Sequence, residues 1–73
     1  MAEIEIKSEI AGKVWQIEAE VGQSVDEDDP VVILESMKME IPVGAPAAGK
    51  VTEILVAKDE AVAEGQTIAR MET

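Results

Sequence analysis

The 73-residue chain has no cysteine, histidine, tyrosine or phenylalanine, and a single tryptophan, Trp15. Each absence removes a class of chemistry. Without cysteine, neither a disulfide nor a thiolate metal site reinforces the core, and a reducing, cytoplasmic setting is expected. Without histidine, cysteine and tyrosine, the usual general base, thiol nucleophile and phenol are missing. No catalytic residue is therefore assigned, and catalysis by the chain alone is not expected. With 47% hydrophobic residues and one aromatic, the predicted core is small and aliphatic, made of Val, Ile, Leu, Ala and Met.

Long apolar runs are also lacking. Nothing approaches the ~20 residues that span a bilayer, and "MAEIEIKSEI" lacks the basic-then-apolar order of a signal peptide. A soluble chain with no membrane partner is expected. Basic residues number six against sixteen acidic ones, a net charge of −10 that repels nucleic acid and anionic lipid. Expected partners are proteins with basic docking surfaces, although such charge also simply keeps a small domain soluble. "VDEDDP" at Val25 to Pro30 lacks the glycine and glutamate of a calcium loop and reads as an acidic turn, so no metal site is assigned. Nor do the abundant carboxylates suggest an acid/base pair, since nearly all fall at exposed strand positions or turns.

The length predicts one domain, residues 1–73, with a net stability of a few kcal/mol. Within it the chain repeats. Sliding the sequence by 37 positions pairs "AGKV" at Ala11 to Val14 with "AGKV" at Ala48 to Val51, and units 3–36 and 40–73 then share ten identities in 34 positions. Chance gives roughly two or three. Met37, Lys38 and Met39 belong to neither unit and form the joint. If a two-fold axis relates the halves, the chain ends meet at the pole opposite this joint, far from Lys38.

Ile4 and Ile6 alternate with Glu3, Glu5 and Lys7, and Trp15, Ile17, Ala19 and Val21 alternate with Gln16, Glu18 and Glu20, the period-2 pattern of half-buried strands. Turn signals at Gly12, Gly22, Asp28-Asp29-Pro30, Gly44 to Pro46, Gly49 and Gly65 interrupt the chain at short intervals, as in small all-β sandwiches or barrels. For Val31 to Leu34 the inward face is ambiguous. The alignment of Arg70 with Ile33 points Val32, Leu34, Ala69 and Met71 inward, while Val31/Ile68 argues for the other face. Gly65 aligns with Asp28, so a left-handed backbone is predicted at both, which glycine adopts freely and aspartate tolerates.

One cluster remains, "ESMKMEI" at Glu35 to Ile41. The bland reading of Lys38 is a hairpin whose Met37 and Met39 pack inward while the lysine points to water. Against it stand the position in the joint, methionines where a turn normally carries Gly, Asn or Asp, and the most apolar strands on either side. An amine on a rigid projection is an unhindered acylation target, and thioethers beside it adapt to several partner surfaces.

"ESMKMEI", with "APAAGKV" at Ala45 to Val51 and "EGQTI" at Glu64 to Ile68, resembles the biotinyl domains of biotin-dependent carboxylases, over nearly the whole chain. The resemblance implies an all-β flattened barrel or sandwich of two antiparallel sheets with internal two-fold pseudo-symmetry, the lysine in a hairpin turn. It implies covalent biotin on Lys38, recognition of the site through Met37 and Met39, and Glu35, Ser36 and Glu40 as flanking residues. The implied role is a non-catalytic carboxyl carrier between a biotin carboxylase and a carboxyltransferase, loaded by a biotin protein ligase and monomeric as an isolated domain. Ser36 stands where many members have alanine, "EDDP" replaces a Gly-Gln turn, and there is no thumb insertion, as in a plain carrier or the end of a larger carboxylase chain. A lipoyl carrier, or a dual carrier modified by either ligase, is one alternative on the shared scaffold, although lipoyl carriers usually have Asp before the lysine and Ala or Val after it. An unmodified acidic interaction module is the remaining alternative.

Overall fold

A computed structural model of the chain describes residues 2–73. These form eight strands: β1 (Glu3–Lys7), β2 (Gly12–Ile17), β3 (Ser24–Val25), β4 (Pro30–Ser36), β5 (Met39–Gly44), β6 (Gly49–Ile54), β7 (Ala61–Val62) and β8 (Thr67–Glu72). They pair antiparallel in two four-stranded sheets, ordered β1-β8-β6-β3 and β5-β4-β2-β7. Between the sheets lies a core of Val, Ile, Leu, Ala and Met side chains, with Val14, Val31, Val32, Leu34, Val51, Ile68, Ala69 and Met71 fully buried. The fold is the all-β, two-sheet sandwich that the alternation and turn spacing imply. Moving any strand of one sheet by 37 residues lands on a strand of the other, β2 on β6 and β3 on β7 without remainder.

Bulges explain where simple alternation fails. Val14 pairs with Leu34 and Gln16 with Ile33, which leaves Trp15 as the extra residue of β2, and Thr52 is the extra residue at the same place in β6. A bulge places two neighbouring residues opposite one. Trp15 and Gln16 both face Ile33 on the outer surface, Val14 turns into the core, and Val21 lies beyond the strand, 62% exposed. The period-2 reading that set Trp15 and Val21 on one face with Ile17 and Ala19 is corrected accordingly. A second pair of bulges, at Val31 and Ile68, settles the β4 and β8 ambiguity. Val31 and Val32 both bury, as do Ile68 and Ala69, so both competing readings of the inward face were partly right.

Four β-turns are built alike. In each, the fourth residue donates its N–H to the first residue's carbonyl, and its side-chain oxygen accepts the first residue's N–H: Gln23 on Glu20, Asp29 on Asp26, Glu60 on Ala57 and Gln66 on Ala63, at 2.9 to 3.1 Å. The third residue is left-handed every time: Gly22 (φ 93°), Asp28 (71°), Asp59 (72°) and Gly65 (82°). This is the type II arrangement, which requires positive φ at that position. Asp28 and Gly65 are as the alignment predicts. Gly22 and Asp59 carry the same glycine-aspartate signal with the order reversed.

The chain ends meet: Ala2 donates its N–H to the Thr73 carbonyl (3.3 Å) and accepts from the Thr73 N–H (2.9 Å). From there β1 runs to Ser8, hydrogen-bonded to Gly65 and Gln66, and the chain re-enters as β2 beside Glu35, near the β4–β5 turn. The ends and that turn therefore occupy opposite poles of a molecule 36 Å long and 17 Å across.

Replacing Gly65 by alanine is expected to lower stability by about 1 kcal/mol, the cost of an alanine in the left-handed region, and Gly65→Asp by less, since aspartate already serves at the equivalent Asp28. Urea denaturation of the two variants measures this. Equal losses would contradict it.

Candidate functional site

The β4–β5 hairpin turns on two residues, Met37 (φ 52°) and Lys38 (φ 64°), both left-handed, with Ser36 and Met39 as the closing pair. Positive φ at both central positions defines a type I′ turn, whose twist matches that of the flanking strands and which normally takes Asn-Gly. Methionine and lysine there cost about 1–2 kcal/mol each. The strain is held by the strands behind it: Val31, Val32 and Leu34 of β4 are fully buried, and Val43 of β5 packs with them. Backbone strain that the surroundings enforce marks places where a particular presentation is required.

At this tip Met37 is 91% exposed, Met39 is 59% exposed, and Lys38 is exposed between them. The methionines do not pack inward, so the bland hairpin reading fails on its own criterion. The physical reason is position: Met37 belongs to the left-handed pair that forms the turn, Met39 closes it at the first position of β5, and both lie beyond the last buried residue of β4, Leu34. Lys7, Lys13 and Arg70 are engaged in ion pairs with carboxylates, whereas Lys38 is in none among the described residues.

Behind the tip, Glu35 pairs directly with Glu40 across the hairpin, and Lys13 of β2 lies opposite Glu35 on its other side. Like charges directly opposed on a sheet are unfavourable, and Lys13 offsets this only in part because its Nζ pairs with Asp59, at 3.8 Å, rather than with Glu35. Ser36 is half-buried beneath the turn. The hairpin thus gathers all six residues singled out from the sequence: Glu35, Ser36, Met37, Lys38, Met39 and Glu40.

Gly12 is a contributor that sequence reasoning missed. A Cβ there would lie 2.8 Å from the Glu35 carbonyl oxygen, inside any contact that carbon and oxygen tolerate. Only glycine lets β2 press against the base of the hairpin. The repeated "AGKV" was its signal, since Gly49 approaches the Glu72 carbonyl in the same way at the other pole.

Other chemistry is not assembled. No group of three or more acidic, histidine or cysteine side chains is placed to hold a metal among the described residues. The one buried polar side chain among them, Ser8, is satisfied by the Ile10 backbone. Two surface grooves, one between β1 and the far half of β5 and one beside Thr73, are lined by none of residues 35–40. Attachment through an amide needs an approachable primary amine, and Lys38 fits that requirement.

A family model described as "Biotin-requiring enzyme", of the biotin/lipoyl type, matches residues 4–71. The chain belongs to the biotin/lipoyl attachment family. It is 39% identical over 69 residues to the biotinylated protein TB7.3 homolog of Mycobacterium leprae, covering 94% of this chain and 96% of that one. It is 33% identical over 66 residues to the biotin/lipoyl attachment protein of Bacillus subtilis, covering 90% of each. Among solved structures, the Kluyveromyces lactis urea carboxylase superposes with a TM-score of 0.93 at 36% identity over 99% of this chain. The chain spans 6% of that enzyme's length.

Replacing the turn with its preferred residues, Met37→Asn with Lys38→Gly, is expected to stabilise the domain by about 2 kcal/mol, read as a higher urea midpoint with an unchanged slope. An unchanged or lower midpoint would show that the turn is not strained.

Proposed function

We propose that this chain is a biotin carboxyl carrier in which the Nζ of Lys38 bears biotin through an amide bond. The observation that carries the reading is the exposed Met37-Lys38-Met39 tip on a strained turn, at the pole remote from the chain ends. A tether at the termini would leave that tip free to reach a partner. A relative named as biotinylated and the likeness to a urea carboxylase support it.

The chemistry assigned to the chain is modest. Nζ, as the free amine, attacks the carboxyl carbon of an activated biotin acyl group held by a biotin protein ligase. The C–N bond forms, the activating group leaves with the electrons of its bond, and the nitrogen gives up its extra proton. Modification removes one positive charge from the tip. Biotin, when attached, supplies the ring that accepts and releases a carboxyl group. The residues of this chain position that arm: β4 and β5 hold the turn rigid, while Met37 and Met39 offer adaptable apolar contacts to whichever site receives it. A tethered reactant reaches an effective concentration on the order of millimolar at each partner without tight docking. Those partners are a biotin carboxylase and a carboxyltransferase, and the catalytic groups reside in them.

A lipoyl arm on the same lysine is the second reading, favoured by the name of the Bacillus subtilis relative. The methionines on both sides of Lys38 support biotin over it.

Coexpression with a biotin ligase, followed by intact mass and a streptavidin blot, tests the proposal. The expected outcome is a mass gain of one biotinyl group on the wild type and none on Lys38→Arg. Streptavidin binding by the arginine variant would overturn the assignment, and a gain matching lipoate would favour the alternative.

A further inference from the structure

The two outer faces of the sandwich occupy equivalent positions and differ in chemistry. On the sheet that lacks the lysine hairpin, the middle row runs Glu5, Arg70, Glu53 from β1 through β8 to β6. Arg70 there pairs with Glu5 at 3.8 Å, Glu53 at 3.3 Å and Glu3 at 3.9 Å. The row 37 residues away, on the sheet that carries Lys38, runs Pro42, Ile33, Trp15 with Gln16, from β5 through β4 to β2. One face is tied up in ion pairs, and the other offers an apolar strip. Pro42 is exposed, Ile33 half-buried, and Trp15, the chain's sole aromatic residue, 38% exposed on its bulge.

The strip lies on the sheet that carries the modification site, separated from the tip by one outward-facing row. The next row towards the tip is Glu40, Glu35, Lys13, and beyond it come Met39 and Met37. An apolar centre bordered by carboxylates is complementary to an apolar recess bordered by basic side chains, and tryptophan is the residue type most enriched where such surfaces bind. Since the domain carries a net charge of −10, a basic rim on the partner also speeds encounter.

We propose that the Trp15–Ile33–Pro42 strip is the docking surface for the ligase that acylates Lys38, received by an apolar recess with a basic border. This rests on the carrier reading above. Reach favours the ligase over the later partners. Acylation requires the amine itself inside an active site, so the body of the domain behind the hairpin must touch the enzyme. After modification the reacting ring sits at the end of a long arm, and the body need not approach.

Symmetry supplies the test. The variant Trp15→Thr, Ile33→Arg, Pro42→Glu installs on this face the residues that already occupy the equivalent positions Thr52, Arg70 and Glu5, so the backbone accommodates them. Steady-state biotinylation of the unmodified 73-residue chain by a biotin ligase is measured for the wild type, this variant and Arg70→Gln on the opposite face, with urea midpoints for each. The expected result is a KM raised about tenfold for the triple variant with little change in kcat, the loss of a typical interfacial anchor, and an unchanged KM for Arg70→Gln. Trp15→Thr alone is expected to give part of the same rise. Unchanged KM in a folded triple variant, with the wild type modified normally, would overturn the docking surface and leave the carrier reading standing. A wild type that takes no biotin would remove both.

Discussion

Everything at the functional end of this molecule depends on holding Met37 and Lys38 in a left-handed turn. Two residues with side chains at φ 52° and 64° cost about 2–4 kcal/mol together, a large share of the stability of so small a domain. Only well-anchored strands hold such a turn in place. Here β4 supplies three fully buried residues, Val31, Val32 and Leu34, and β2 closes on the hairpin base through the close approach at Gly12. The bulge at Val31 lets two consecutive residues enter the core. Strand anchoring, glycine contact and bulge are separate devices with one consequence, a stiff projection whose side chains face outward.

The two-fold arrangement explains why the projection is singular. Each feature of the first half has a counterpart 37 residues on: the β2 and β6 bulges, the type II turns, and the glycines at 12 and 49. At the pole equivalent to the hairpin, the counterpart is the pair of chain ends, Ala2 bonded to Thr73. One scaffold thus provides a tip at one end and brings its first and last strands together at the other. Where the halves diverge, as between Ile33 and Arg70, the difference cannot come from the fold's own needs, because both residues sit in the same backbone setting.

Much of the architecture was legible in the residues. Alternation at Ile4 and Ile6, with glycine, aspartate and proline at short intervals, pointed to strands and turns, and the glycine-aspartate alignment located the left-handed backbone at Asp28 and Gly65. Bulges were not legible. They shift the phase of alternation by one residue, and nothing in the side chains of Trp15 or Val31 announces that shift, so Trp15 was read onto the wrong face. The hairpin itself was visible as the joint between repeats, but not its turn type, because Met-Lys is an unfavourable sequence for type I′ and propensity argued against it. Gly12 was read as a turn signal and as part of a repeat, whereas it is the first residue of β2 and a contact, since close approach is a property of the strand beside it.

Lys38 shares the surface with Lys7, Lys13, Lys50 and Lys58, all exposed, so exposure does not distinguish it. Its position on a rigid left-handed tip does. The most direct measurement is tandem mass spectrometry of peptides from ligase-modified protein, locating the acyl group among the five lysines. Modification at Lys38 alone is expected. Biotin on Lys13 or Lys50, which lie within β2 and β6 rather than on a turn, would contradict it.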